Sequence, residues 1–174
     1  MGGAALLILF PLAAFTRLPA GRMDQELHHY NIGIVLDHGG EHEAAIAEFQ
    51  KALSVHPQDS VLLFALANAY FRKGDLNAAK QNYLAALRVH PHHPDAAFNL
   101  GLIYFHEGDL EQAEEWFLKS DSLKKDQPDT HYLLSVIYRR KGLLEKSGEA
   151  KARALALGAD PAMVERDPGP VIVR

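Results

Sequence analysis

The chain has 174 residues, with 18 Lys and Arg against 22 Asp and Glu, a formal net charge of −4. That balance leaves no basic surface for nucleic acid, and the local run Arg139, Arg140 and Lys141 is too small to supply one. There is no cysteine, which excludes disulfides, thiolate zinc sites and cysteine nucleophiles together.

In chain order, residues 1–25 form a leader outside everything that follows, and residues 2–15 within it are uncharged and mostly apolar. The run has the length of a signal-peptide apolar region but falls short of the roughly 20 residues that span a bilayer. No basic residue precedes it, and Leu18, Pro19 and Ala20 are a poor cleavage site. Arg17 and Arg22 behind it would hold the remainder in the cytoplasm if the run were a membrane anchor. Export or membrane tethering through residues 2–15, and a cytoplasmic protein with a disordered or docked leader, stay open as alternatives. Leu6 occupies the position where a myristoylation motif wants Ser or Thr.

Beyond the leader, Gly40, Gly74, Gly108 and Gly142 stand 34 residues apart. Aligned on them, residues 26–161 divide without insertion into units 26–59, 60–93, 94–127 and 128–161. Position 7 of each unit reads Ile32, Leu66, Leu100, Leu134, and position 8 reads Gly33, Ala67, Gly101, Ser135. Position 11 gives Leu36, Tyr70, Tyr104, Tyr138; position 20 gives Ala45, Ala79, Ala113, Ser147; position 24 gives Phe49, Tyr83, Phe117, Lys151. Pro57 and Pro91 close the first two units.

This pattern resembles the tetratricopeptide repeat, whose 34-residue helix-turn-helix unit carries W-x-x-L-G-x-x-Y, A-x-x-x-F and P in these places. The large residue that the family places at position 4 is replaced by His29, Leu63, Ala97 and His131. The resemblance implies an all-α fold, a right-handed solenoid of four helical hairpins whose first helices line a concave peptide-binding groove.

The residues predict the same helices independently. Ala97, Leu100, Gly101 and Tyr104 are spaced i, i+3, i+4, i+7 and share one helical stripe. Small residues at positions 8 and 20 let the two helices approach, and the ring at position 24 fills the volume beside them. Glycine at position 15 suits the left-handed residue that ends a helix, Asp75 and Asp109 behind it suit the next N-cap, and Pro94 and Pro128 suit a first helical turn. The fourth unit, with Ser147 and Lys151, reads as a terminal cap. After it, residues 162–174 form a Pro-rich extended tail, with at most a short turn between Pro161 and Pro168.

A second arc of each first helix carries the functional expectation. Position 5 is Tyr30, Phe64, Phe98 and Tyr132, an aromatic in every unit, on the side opposite the packing stripe. Ile34 and Leu102 at position 9, and Phe71 and Phe105 at position 12, extend the oily surface. Asn31 and Asn99 at position 6, with Asn68 at position 9, offer amides that hydrogen-bond a peptide backbone without reading its sequence. Arg139 and Arg140 at the far end suit a ligand carboxylate. The resemblance's lysine and asparagine carboxylate clamp is not carried over, since Tyr30 stands where the lysine would be.

Ten histidines raise the question of metal. His38 and His42 are separated by Gly39 and Gly40, which break the helix that would align them, and His90, His92 and His93 share a loop without a carboxylate or thiolate at ligand spacing. No metal, cofactor or catalytic site is expected, and no hydrolase, metalloprotease or nucleotide motif is present. The reading is a non-catalytic scaffold for a protein or peptide partner. Two alternatives remain: assembly through the exposed end at residues 143–157, or a regulatory module of a separately encoded enzyme. Oligomeric state is not legible.

Overall fold

The structure, a computed structural model, describes residues 20–165, with side chains from residue 24 onward. The expectations for residues 2–15 and 171–174 lie outside the described residues. Eight helices follow one another as hairpins: α1 (Ala20–His38) with α2 (His42–Val55), α3 (Ser60–Lys73) with α4 (Leu76–Val89), α5 (Pro94–Glu107) with α6 (Leu110–Leu123), and α7 (Pro128–Arg140) with α8 (Leu144–Ala156). The second helix of each hairpin packs on the first of the next, which builds the solenoid. α9 (Pro161–Glu165) closes the described chain. No described helix is long and apolar enough to cross a membrane.

Local signals in the sequence set the helix ends. Gly74 and Gly108 end α3 and α5 at φ 87° and 81°, a left-handed conformation that costs other residues a Cβ clash. Asp75 and Asp109 then cap α4 and α6, their carboxylates accepting from the amides of Ala78 and Gln112 at 3.0 Å each. Asp59 caps α3 in the same way, from the amides of Val61 and Leu62. Each cap contributes about 0.5–2 kcal/mol. α1 begins at Ala20, ahead of the first unit's expected start at Glu26, because Ala20, Arg22, Met23 and Gln25 favour helix and extend it upstream.

Inside each of the first three hairpins the ring at position 24 is the keystone. Phe49, Tyr83 and Phe117 have no exposed surface, nor have Ala45, Ala79 and Ala113 beside them. A Cβ added at Gly33 would come within 2.6 Å of Phe49, and one at Gly101 within 2.7 Å of Phe117. The helices therefore approach to the limit set by a missing side chain, and each buried ring contributes about 1.5–3 kcal/mol.

Charged side chains join neighbouring hairpins at their margins. Lys80 of α4 meets Glu107 of α5 at 2.6 Å, and Lys141 behind α7 meets Glu114 of α6 at 2.7 Å. Asp37, almost wholly buried, takes Arg72 of α3 and His42 of α2 together. In the first hairpin, His29 binds Glu48 and His56 binds Glu26, fastening α1 to α2.

The fourth hairpin departs from the others for visible reasons. Ser147 spans its two helices by donating to the Ser135 carbonyl at 2.8 Å. Lys151 turns outward to Glu165 of α9 at 2.8 Å instead of filling the seam. Val164 of α9 is buried on this end and Met163 packs beside it, so the short turn expected after Pro161 is a helical plug.

Candidate functional site

The first helices α1, α3, α5 and α7 carry every residue expected of the groove, and their side chains fall into three environments. In the first three hairpins the position 5 ring leans on the buried ring of the same hairpin. Tyr30 meets Phe49 with centroids 6.1 Å apart, Phe64 meets Tyr83 at 5.7 Å, and Phe98 meets Phe117 at 5.4 Å. All three are half-buried, as are Ile34, Phe71 and Leu102. One face of each ring is anchored and the rest of it reaches the surface. Such offset and tilted contacts contribute about 0.5–1.5 kcal/mol beyond area burial.

Phe105 and Tyr132 differ from that expectation. They are 2% and 6% exposed and belong to the core cluster with Leu133, Ile137, Ala159 and Val164. Arg140 lies over the Phe105 ring, its guanidinium carbon 4.7 Å from the centroid. A helical wheel places position 5 and position 12 outside the stripe that faces the partner helix. It does not reveal that the C-terminal end of the stack draws these two rings into its core. Arg139 and Arg140 are exposed, and both have further interactions within the chain.

The asparagines also differ. The Tyr83 hydroxyl donates to Asn68 Oδ1 at 2.6 Å, and Asn99 Nδ2 donates to the Tyr83 hydroxyl at 2.9 Å and to Asn68 Oδ1 at 3.2 Å. The triad joins α3, α4 and α5, so these amides serve the junction between hairpins. Burial raises the Tyr83 phenol above its usual range, with the hydrogen bond from Asn99 working the other way. Asn31 sits elsewhere, on the outer face of α1 with His28, Ile32, Val35 and Leu36. Position 6 faces the preceding hairpin, and α1 has none among the described residues.

Two features escape the sequence reading. His93 accepts at Nδ1 from the Ala96 amide as the N-cap of α5, and its ring lies 4.3 Å from Phe64, extending the aromatic surface. Burial lowers its imidazole pKa; nearby His90 acts in the same direction and Asp95 opposes. The second is a cleft of about 450 Å³ at the start of α3, lined by Asp24, Glu26, Leu27, Tyr30, Asp59, Val61 and Leu62. Leu27 and Val61 both occupy position 2, on the same arc as position 5, and both stand exposed. The signal for Tyr83 was available, since a hydroxyl at a position where Phe49 and Phe117 have none requires a polar partner. Among the described residues no three His, Asp or Glu side chains converge in a way that would hold a metal ion.

Two sequence profiles, each described as tetratricopeptide repeat, match residues 64–128 and 39–81. No curated protein sequence matches the chain. Solved structures similar to it include a crystal structure of MamA, at 21% identity over 78% of this chain and 79% of that one, with a TM-score of 0.73. MamA 41-end from Desulfovibrio magneticus RS-1 gives 22% identity, 76% and 75% coverage and a TM-score of 0.70. TTC0263, a thermophilic repeat protein of Thermus thermophilus, gives 23% identity, 79% and 77% coverage and a TM-score of 0.62. At these identities the likeness is one of fold.

Proposed function

This chain belongs to the tetratricopeptide repeat family, and on that premise we propose that it is a non-catalytic scaffold that holds a peptide segment of another protein against its first helices. Interaction between proteins is the work that the family fold suggests. The finer reading rests on one observation, the row of half-buried Tyr30, Phe64 and Phe98, each backed by a fully buried ring. Anchored rings lose little freedom on binding and present apolar area at a fixed spacing, which is what an amphipathic or extended peptide requires. The cleft beside Tyr30, with Leu27 and Val61 on its walls, is the natural entry for an apolar side chain of that peptide. Arg139 and Arg140 lie beyond the other end of the row and suit an acidic partner group.

The test uses two pairs of substitutions in the full chain. Phe64→Ala with Phe98→Ala removes the row, and Leu27→Asp with Val61→Asp changes only exposed walls. Peptides selected on the wild-type chain from a displayed library should lose binding to both variants while helical circular dichroism persists. Unchanged binding by the folded Leu27→Asp, Val61→Asp chain would remove the cleft from the reading, and unchanged binding by both would remove the groove. Turnover by the purified chain would overturn the non-catalytic assignment.

The alternative of assembly through residues 143–157 is supported by Leu144, 72% exposed, beside the exposed Leu143 and Leu155. Concentration-dependent sedimentation, abolished by Leu144→Asp, is its signature; a chain monomeric at high concentration retires it.

A further inference from the structure

In α3, α5 and α7, positions 3, 7 and 10 share one helical stripe. Leu66 and Ala69 cluster with α2, Ala96, Leu100 and Ile103 with α4, and Leu134 and Ile137 with α6, while Leu62 and Thr130 at position 3 are buried as well. The equivalent residues of α1 are His28, Ile32 and Val35. Ala69, Ile103 and Ile137 are 0% exposed, whereas Val35 is 71% exposed. His28 is exposed and Ile32 half-buried, and with Asn31, Val35 and Leu36 they line a shallow cleft of about 320 Å³. The period that elsewhere receives a helix is present on α1 and, among the described residues, uncovered.

We propose that residues 2–15 of this chain dock on that face, in the place a preceding second helix would take. Connectivity supports the assignment. Four residues, 16–19, separate the run from Ala20, and four residues also join α2 to α3, α4 to α5 and α6 to α7. Length supports it as well, since the run has 14 residues, the number in each of α2, α4 and α6, although Pro11 disfavours one continuous helix. Its chemistry fits an apolar face, with Leu6, Leu7, Ile8, Leu9 and Phe10 in sequence and no charge from residue 2 to 15.

Reach is sufficient. From Ala20 to Val35 the helix advances about 22 Å, and fourteen residues span about 21 Å as a helix or about 46 Å extended. Tethering favours this occupant over a second copy of the chain, because a short linker gives an effective concentration of about millimolar order.

The chain has no cysteine, so introduced pairs report proximity without background. Val35→Cys, combined in turn with Leu6→Cys, Leu9→Cys or Leu12→Cys, should oxidise to an internal disulfide in dilute full-length monomer. At least one pair should form about tenfold faster than the same leader cysteines paired with Val61→Cys. Val61 lies in the groove-side cleft and, like Val35, is exposed, so neither substitution disturbs packing among the described helices. Equal or faster pairing with Val61→Cys would put the segment in the groove, and disulfide-linked dimers would put a second copy on α1; either overturns the proposal. Separately, Val35→Asp should raise deuterium uptake across residues 2–15 with circular dichroism unchanged. Unaltered uptake, or absence of the Val35 disulfides both with and without phosphatidylcholine vesicles, would also overturn it. Peptide binding by the groove is read independently and is expected to survive Val35→Asp.

Discussion

At the C-terminal end of the stack, Val164 and Met163 of α9 pack back onto the last hairpin and Glu165 holds Lys151 at 2.8 Å. At the N-terminal end, α1 leaves Val35 in the open at a position where α5 and α7 bury isoleucine. Both ends descend from the same 34-residue pattern, so the difference lies in what each terminal helix has to lean on. A repeat buries one face against each neighbour, and a terminal repeat lacks one neighbour. The C-terminal hairpin answers with altered residues and a plug; the N-terminal hairpin keeps the general pattern and strengthens its internal seam with His29 to Glu48 and His56 to Glu26.

The contrast is greatest at position 24. Phe117→Ala should destabilise the chain by about 3–5 kcal/mol, whereas Lys151→Ala should stay within about 0.5 kcal/mol, both read from urea midpoints. Similar losses for the two would mean that the terminal seam is packed like the interior. Position 10 compares the ends directly. Ile137→Ala should cost about 2–5 kcal/mol and Val35→Ala about 1 kcal/mol with residues 2–15 docked over it; a loss below about 0.5 kcal/mol would mean that the face of α1 stays open. The plug is a smaller matter: Val164→Ala should cost about 1 kcal/mol, with hydrogen exchange rising in α8 and not in α2.

Mild acid should act most weakly, through His93 at the α4–α5 junction. Folding disfavours the charged form of His93, so the folded chain binds fewer protons there than the unfolded chain as pH falls below the ordinary histidine range. Stability from this group is therefore lost on acidification and regained as pH rises through that range. Protonation also removes the acceptor that caps α5. The drop in urea midpoint between about pH 7.5 and about pH 5.5 should shrink in His93→Asn, which keeps a capping acceptor without titrating. An unchanged drop would assign the acid sensitivity elsewhere.

Most of the architecture was legible because it is repetitive. Gly74 and Gly108, Asp75 and Asp109, and the small residues opposite Phe49 and Phe117 each state a local rule, and agreement among copies strengthens it. The site was legible only as a list of candidates. A wheel assigns Tyr30, Phe64 and Phe98 to an arc but not their lean onto the seam, and it treats Phe105 and Tyr132 like the rest although both enter the core. Asn68 and Asn99 looked like peptide hooks because their partner, the Tyr83 hydroxyl, arrives from another helix whose approach no local pattern encodes. The identity of a neighbour, including the lack of one beside α1 among the described residues, is a tertiary fact.

Near-identical modules carry a hazard that dissimilar ones do not, since any hairpin offers a passable seat for any other, within one molecule or between two. The Tyr83 hydroxyl and its two asparagines work against such shuffling. Only the second hairpin brings a phenol to this position, held by its own Asn68, and the third meets it with Asn99; a fourth hairpin in that place, with Leu133 at the same position, would forfeit the bond at roughly 0.5–1.5 kcal/mol. Three side chains thereby mark the seam between the second and third hairpins in an otherwise interchangeable series.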